Sequence, residues 1–170
     1  LIPLQIDPPD HKNFRKILAP LFAPRQAAAI ENRTRTLVRE MIAEVVDDGR
    51  ANFHSAIAEP LPTTVFLELL GLPVSRRKEF IELKDGIIRP QMRTTDMQEA
   101  QRIRIETGKR IYAYFDGVID QRRAEPGDDL MSALVKAEID GEKLTRNDIL
   151  DVSFLLILAG LDMVTATIGC

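Results

Sequence analysis

Residues Leu144 to Cys170 read LTRNDILDVSFLLILAGLDMVTATIGC, and the fold turns on this stretch. Thr145 and Asp148 have the spacing of a capping box, so a helix starts here. From Ile149 to Leu161 the positions are apolar almost all round, broken by Asp151, Ser153 and Gly160. A helix apolar on every side is expected to be buried on every side. The apolar run from Val152 to Leu161 is short for a bilayer. The expectation is a central helix running through a larger globule. Two of its residues carry a cost. Gly160 is about 1 kcal/mol worse than Ala in a helix interior. Asp162 sets a carboxylate directly after a hydrophobic run, where an unpaired charge is expensive. Something must approach the backbone closely at Ala159-Gly160, and something must need an acid at Asp162.

The remaining composition narrows the class. With 170 residues there is enough chain for one domain with a real core. A net charge of −3 and the absence of Trp argue against nucleic acid as a partner. The single cysteine, Cys170, excludes a disulfide framework and fits a reducing, cytoplasmic compartment. No signal peptide or membrane helix is read, so no membrane partner is expected. The chain opens on LIPLQIDPPDH and stops inside an unfinished helical pattern, which reads as an internal piece of a longer protein.

Outward from the last helix, the pattern is helical throughout. Asp7-Pro8-Pro9-Asp10 resembles a helix opening, with Asp7 as cap and Pro8 in the first turn. On that helix His11 and Arg15 are spaced i, i+4 and share a face. Pro20 and Pro24 should break it, with Phe22 between them plugging into the core. Arg25 to Asp48 is a second helix, closed by Gly49. Asn52-Phe53-His54 could form a short edge strand. Thr63 to Leu70 is an apolar helix, and Ser75 can cap the next, through Ile88. Pro90 to Thr95 has no periodicity and is the candidate mobile loop. Thr95 with Gln98 suggests the cap of a long helix ending near Arg123. Asp129 to Ile139 reads as a short amphipathic helix, and Asp140-Gly141 as a hairpin-like turn. The class is all-α, mainly helical, with minor β.

No phosphate loop, no GxSxG and no zinc-like cluster of His and Cys is present. Periodicity and spacing alone name no reaction.

Three stretches in order resemble the cytochrome P450 family of haem-thiolate monooxygenases, in its soluble bacterial form. Asp7-Pro8-Pro9-Asp10-His11 through Arg15, Pro20, Phe22 and Pro24 is similar to that family's HxxxR helix. Asp128-Asp129-Leu130-Met131 and Leu144-Thr145 are similar to the link before its long distal helix. Ala159-Gly160-Leu161-Asp162 is similar to its oxygen-activation motif. The resemblance covers residues 1–170 as a partial domain, helices roughly C to I.

The resemblance implies haem b as cofactor, with His11 and Arg15 facing its propionates. It implies that Ala159 and Gly160 are small where porphyrin, oxygen and substrate lie. Asp162 would be the acid for proton delivery. Leu155, Leu158, Ile87 and Ile88 would line the pocket of a hydrophobic small-molecule substrate. Electrons would come from NAD(P)H through a ferredoxin-type donor. Two departures matter. The family places Thr after the acid, whereas this chain has Met163, a thioether that donates no proton. The ExxR motif and the loop carrying the axial Cys have no counterpart here, and Cys170 lacks that loop's surroundings. The chain by itself is therefore expected to hold no metal and to be inactive. The rival expectation is a non-enzymatic helical binding module, a haem-free remnant of the same architecture.

Overall fold

The computed structural model describes residues 2–170, and its elements are, in order, α1 (Asp10–Leu21), α2 (Pro24–Ala43), a π-turn (His54–Ala58), α3 (Pro60–Leu69), a 3-10 turn (Val74–Arg76), α4 (Arg77–Ile88), a 3-10 turn (Pro90–Met92), α5 (Met97–Ala124), α6 (Leu130–Lys136), β1 (Glu138–Ile139), β2 (Glu142–Lys143), α7 (Arg146–Ile157), a second π-turn (Leu158–Met163) and α8 (Val164–Gly169). Among the described residues the only sheet is the antiparallel hairpin β1–β2. Its turn, Asp140-Gly141, has φ of 52° and 88°, the left-handed geometry such a hairpin needs.

The 28-residue α5 is the spine. Its inner face carries Ile111, Phe115, Val118 and Ile119, packed with Phe80 and Leu83 of α4, Met131 and Leu134 of α6, and Ile149 and Val152 of α7. Phe80 sits edge-on to Tyr114 and Phe115, at ring-centroid distances of 5.2 and 6.2 Å. Helices α4 and α5 cross where Gly86 has no side chain: a Cβ there would lie 2.5 Å from Thr107 Oγ1. A smaller cluster of Leu37, Met41 and Leu61 joins α2 to α3.

Local chemistry explains the helix starts. Thr145 and Asp148 form a reciprocal capping box. Asp129 caps α6 by accepting from the Ser132 amide at 2.7 Å. The cap of α5 is Asp96, which accepts from the Gln98 amide at 2.8 Å, and not Thr95. Several other expectations are corrected. The first helix begins at Asp10 and runs through Pro20 to Leu21. A proline in a last turn sacrifices one hydrogen bond without breaking what precedes it. Phe22 is 52% exposed and lines a surface hollow with Leu21, Leu69 and Leu130 instead of plugging the core. Residues 52–54 form no strand: His54 opens a π-turn packed against α3 and α8. The sixth helix stops at Lys136, and Glu138–Ile139 pair as a strand instead. Apart from these corrections, the 90–95 connection opens with a 3-10 turn in which Pro90 is buried, and Arg93 Nη2 donates to the Glu82 carbonyl at 3.2 Å.

The last segment forms a continuous helical rod of 24 residues, Arg146–Gly169. By length and composition it would suffice to cross a membrane, contrary to the short run read from sequence. In the fold its middle packs against α3, α4 and α5 as a core helix.

Candidate functional site

The rod is not buried on every side. Ile149, Ser153, Ile157, Leu161 and Thr165 recur every fourth residue and are buried. Leu155, Ala159 and Met163 lie two residues out of phase, about 200° round the helix. Leu155 is half-buried, Ala159 is exposed and Met163 is 65% exposed. An uncovered apolar stripe therefore runs along one side of the rod. The hydroxyls on the rod are turned inward to its own backbone. Ser153 donates to the Ile149 carbonyl at 2.7 Å, Thr165 to Leu161 at 2.6 Å and Thr167 to Met163 at 2.9 Å. No alcohol stands in for the missing one at Met163.

The π-turn Leu158–Met163 coincides with Ala159-Gly160-Leu161-Asp162. Such one-turn widenings inside α-helices concentrate at functional sites. The close approach anticipated at Gly160 is made by this chain's own Phe66: a Cβ there would lie 3.0 Å from Phe66 Cδ2. Gly160 thus serves the packing of α3, and Ala159 is the residue of the pair left facing outward.

Asp162 is held by a partner that sequence reasoning passed over. Its Oδ1 lies 2.6 Å from Nη1 of Arg89, the residue closing α4. The contact is ionic but poorly aligned, because the same buried oxygen has no hydrogen-bond donor in good geometry. Arg89 also approaches Asp85 at 3.6 Å. Asp85 contacts Lys84 Nζ at 3.2 Å, and Lys84 donates to Glu59 at 3.0 Å. Lys84 is 2% exposed. A signal was readable: Phe80, Leu83, Lys84 and Ile87 follow the spacing of one buried stripe, with a lysine among apolar residues.

His11 and Arg15 present the opposite situation. Phe14, one residue before Arg15, is buried in the main core, while His11 is half-buried and Arg15 exposed. Neither side chain makes a hydrogen bond or ion pair to another described residue. Two donors one turn apart and left open fit the carboxylate edge of a ligand.

Asp151, a further acid on the rod, has a structural task. It accepts hydrogen bonds from the Tyr112 hydroxyl and, at 2.9 Å, from the Ile2 amide. Burial, with the adjacent carboxylate, pushes the Tyr112 phenol up to about 12. The residues expected to line a substrate pocket divide. Ile87 belongs to the buried core, and Ile88 and Leu158 pack partly against it, while Leu155 faces the open stripe. A hollow of about 570 Å³ on the chain lies along α5, around Arg93, Glu99, Arg102 and Arg110, and none of the expected site residues lines it.

No family model matches the chain. Individual proteins do. It is 36% identical over 166 residues to an erythromycin C-12 hydroxylase of Saccharopolyspora erythraea, covering 97% of this chain and 41% of that protein. It is 32% identical to a mycinamicin IV hydroxylase/epoxidase of Micromonospora griseorubida, over 98% of this chain and 41% of that protein. Among solved structures it superposes on a Mycobacterium marinum cytochrome P450 in complex with pseudoionone, with a TM-score of 0.86 and 30% identity. That match covers 97% of this chain and 40% of the other. A Bacillus megaterium structure in complex with corticosterone matches with a TM-score of 0.82 at 28% identity, over 94% of this chain and 43% of the other. The chain spans about 41% of the length of the first two relatives.

Proposed function

This chain belongs to the cytochrome P450 family over the part of the fold it spans, and from that premise we propose that the intact protein is a haem-dependent monooxygenase acting on a hydrophobic small molecule. The observation that carries the proposal is the pairing of an uncovered Leu155–Ala159–Met163 stripe with an acid, Asp162, held in the π-turn beside it. Relatives and solved neighbours named for macrolides, steroids and pseudoionone support an apolar substrate class.

In this reading His11 and Arg15 would hold the haem carboxylates through charge-assisted hydrogen bonds. When bound, haem supplies the activation of dioxygen by electrons. The chain's own residues do the rest. Ala159 has the smallest side chain that keeps the rod helical while admitting a ligand to its open side. Leu155 and Met163 present apolar surface to the substrate and exclude water. Asp162, fixed by Arg89, handles protons at its carboxylate. Met163 donates none, so water must bridge the gap that an alcohol fills elsewhere. Electrons from NAD(P)H through a ferredoxin-type donor, and a cytoplasmic location, belong to the proposal on the resemblance alone.

The decisive measurement is the carbon monoxide difference spectrum of the reduced intact protein. A thiolate-haem band is expected. If no haem co-purifies and no band appears, the binding-module reading replaces this one. For Met163→Thr, the expected outcome is a lower ratio of peroxide to product; an unchanged ratio counts against the assigned role of this position.

A further inference from the structure

Lys84 is the one charged side chain among the described core residues with almost no solvent contact, and the monooxygenase reading gives it no task. A buried ammonium is retained only where pairing offsets a desolvation cost of several kcal/mol, as is typical for such ions. Its pairing here is part of a longer chain of contacts. Glu59 Oε1 lies 3.0 Å from Lys84 Nζ, Nζ lies 3.2 Å from Asp85 Oδ1, that oxygen lies 3.6 Å from Arg89 Nη1, and Nη1 lies 2.6 Å from Asp162 Oδ1. The signs alternate along it. Glu59 immediately precedes α3, Lys84, Asp85 and Arg89 belong to α4 and its end, and Asp162 lies in the π-turn.

We propose that Lys84 is a positioning residue for Asp162, acting through Asp85 and Arg89. The argument rests on shared atoms. Asp85 Oδ1 faces both Lys84 and Arg89, and Arg89 Nη1 faces both Asp85 and Asp162. With Lys84 balancing Asp85 from behind, Arg89 stands 1 Å closer to Asp162 than to Asp85, 2.6 against 3.6 Å. Without that charge, Asp85 becomes an uncompensated competitor on the same helix and draws the guanidinium toward itself. Partly buried charges at these separations interact more strongly than fully solvated ones, because water screens them less. Lys84 Nζ pairs with Glu59 and Asp85 and forms no ion pair with Asp162, so its electrostatic influence runs through the guanidinium. The coupling stands on the contacts themselves; its meaning for proton handling rests on the monooxygenase reading.

The test is a double-mutant cycle on the intact protein, read by hydrogen exchange of the Leu161, Asp162 and Met163 amides. Lys84→Met is expected to raise their exchange about tenfold, within the range for residues of one charge network, and Lys84→Arg to restore it. In an Asp162→Asn background the same Lys84→Met change is expected to alter exchange less than about twofold. Equal effects in both backgrounds overturn the proposal, because a merely structural lysine would loosen α3 and α4 whatever stands at 162. Should Lys84→Met not fold, Asp85→Asn supplies the reciprocal test. Removing the competitor leaves Arg89 to Asp162, and exchange is expected to slow about threefold; faster exchange overturns the proposal. A missing carbon monoxide band would remove the meaning and leave the coupling, whereas an additive cycle would remove the coupling and leave the haem.

Discussion

Helix α1 and the π-turn of the last rod hold the two halves of the same expected site, yet they are built in opposite ways. On α1 the side chains proposed to bind are open: His11 and Arg15 have no partner among the described residues. In the π-turn the proposed acid is closed in: Asp162 is 17% exposed and already tied to Arg89. An open donor pair waits for charge from outside the chain, whereas a tied acid has its charge set from inside it. On the proposed reading a ligand would gain most from α1, and the fold would gain most from the π-turn.

Replacing both open donors should separate these roles most sharply. His11→Ala with Arg15→Ala removes two charge-assisted hydrogen bonds to a ligand carboxylate, each about 1.5 kcal/mol or more. Haem retention by the intact protein, followed by transfer to an acceptor protein, should weaken about a hundredfold. The denaturant midpoint of the haem-free protein should barely move, because neither residue has a partner in the chain to lose. An equal loss of stability would break the comparison.

Arg89→Met attacks the closed half. It leaves Asp162 with little solvent and no counter-charge. Because Arg89 itself is 36% exposed, the cost should fall between that of a surface and a buried pair, roughly 1–2 kcal/mol in denaturant unfolding. Product yield per NAD(P)H should fall in the same variant while haem retention is kept.

Gly160→Ala asks whether the glycine serves Phe66 or a ligand. The added methyl meets Phe66 Cδ2 at 3.0 Å, and overpacking offsets the better helix propensity. A net loss of about 1 kcal/mol is expected, with recovery in the Gly160→Ala, Phe66→Leu double variant. Recovery without loss of haem assigns Gly160 to packing.

The smallest effect concerns another tied acid of the rod, Asp151. Tyr112 is raised from 10 to about 12 by burial and then by Asp151. A raised folded-state value means that this stabilisation is fully present below pH 10 and lost as pH climbs toward 12. In a Tyr114→Phe background the tyrosinate absorbance should rise with a midpoint near 12, and Asp151→Asn should bring it down toward 10. A midpoint already near 10 with Asp151 present would show that this acid is not tied.

Much of the architecture was legible along the chain. The Thr145–Asp148 box, the long fifth helix and the Asp140-Gly141 turn are local events, set by capping chemistry and by backbone preference within four residues. The resemblance to a haem-thiolate monooxygenase was carried by motifs that are themselves short. What escaped was every decision made between distant segments. That Pro20 stays inside α1 and that Phe22 turns outward, beside Leu69 and Leu130, is not written in the local pattern.

The residues alone determined a mainly helical chain with a costly glycine and a costly acid in its last helix. Only the tertiary structure decided what meets them: Phe66 from α3 at Gly160, and Arg89 from the end of α4 at Asp162. Those partners lie 94 and 73 positions away, counted as 160 − 66 and 162 − 89. Hydrophobic periodicity records which face is buried but carries no information about what buries it, so the identity of a partner at such range is settled by packing alone.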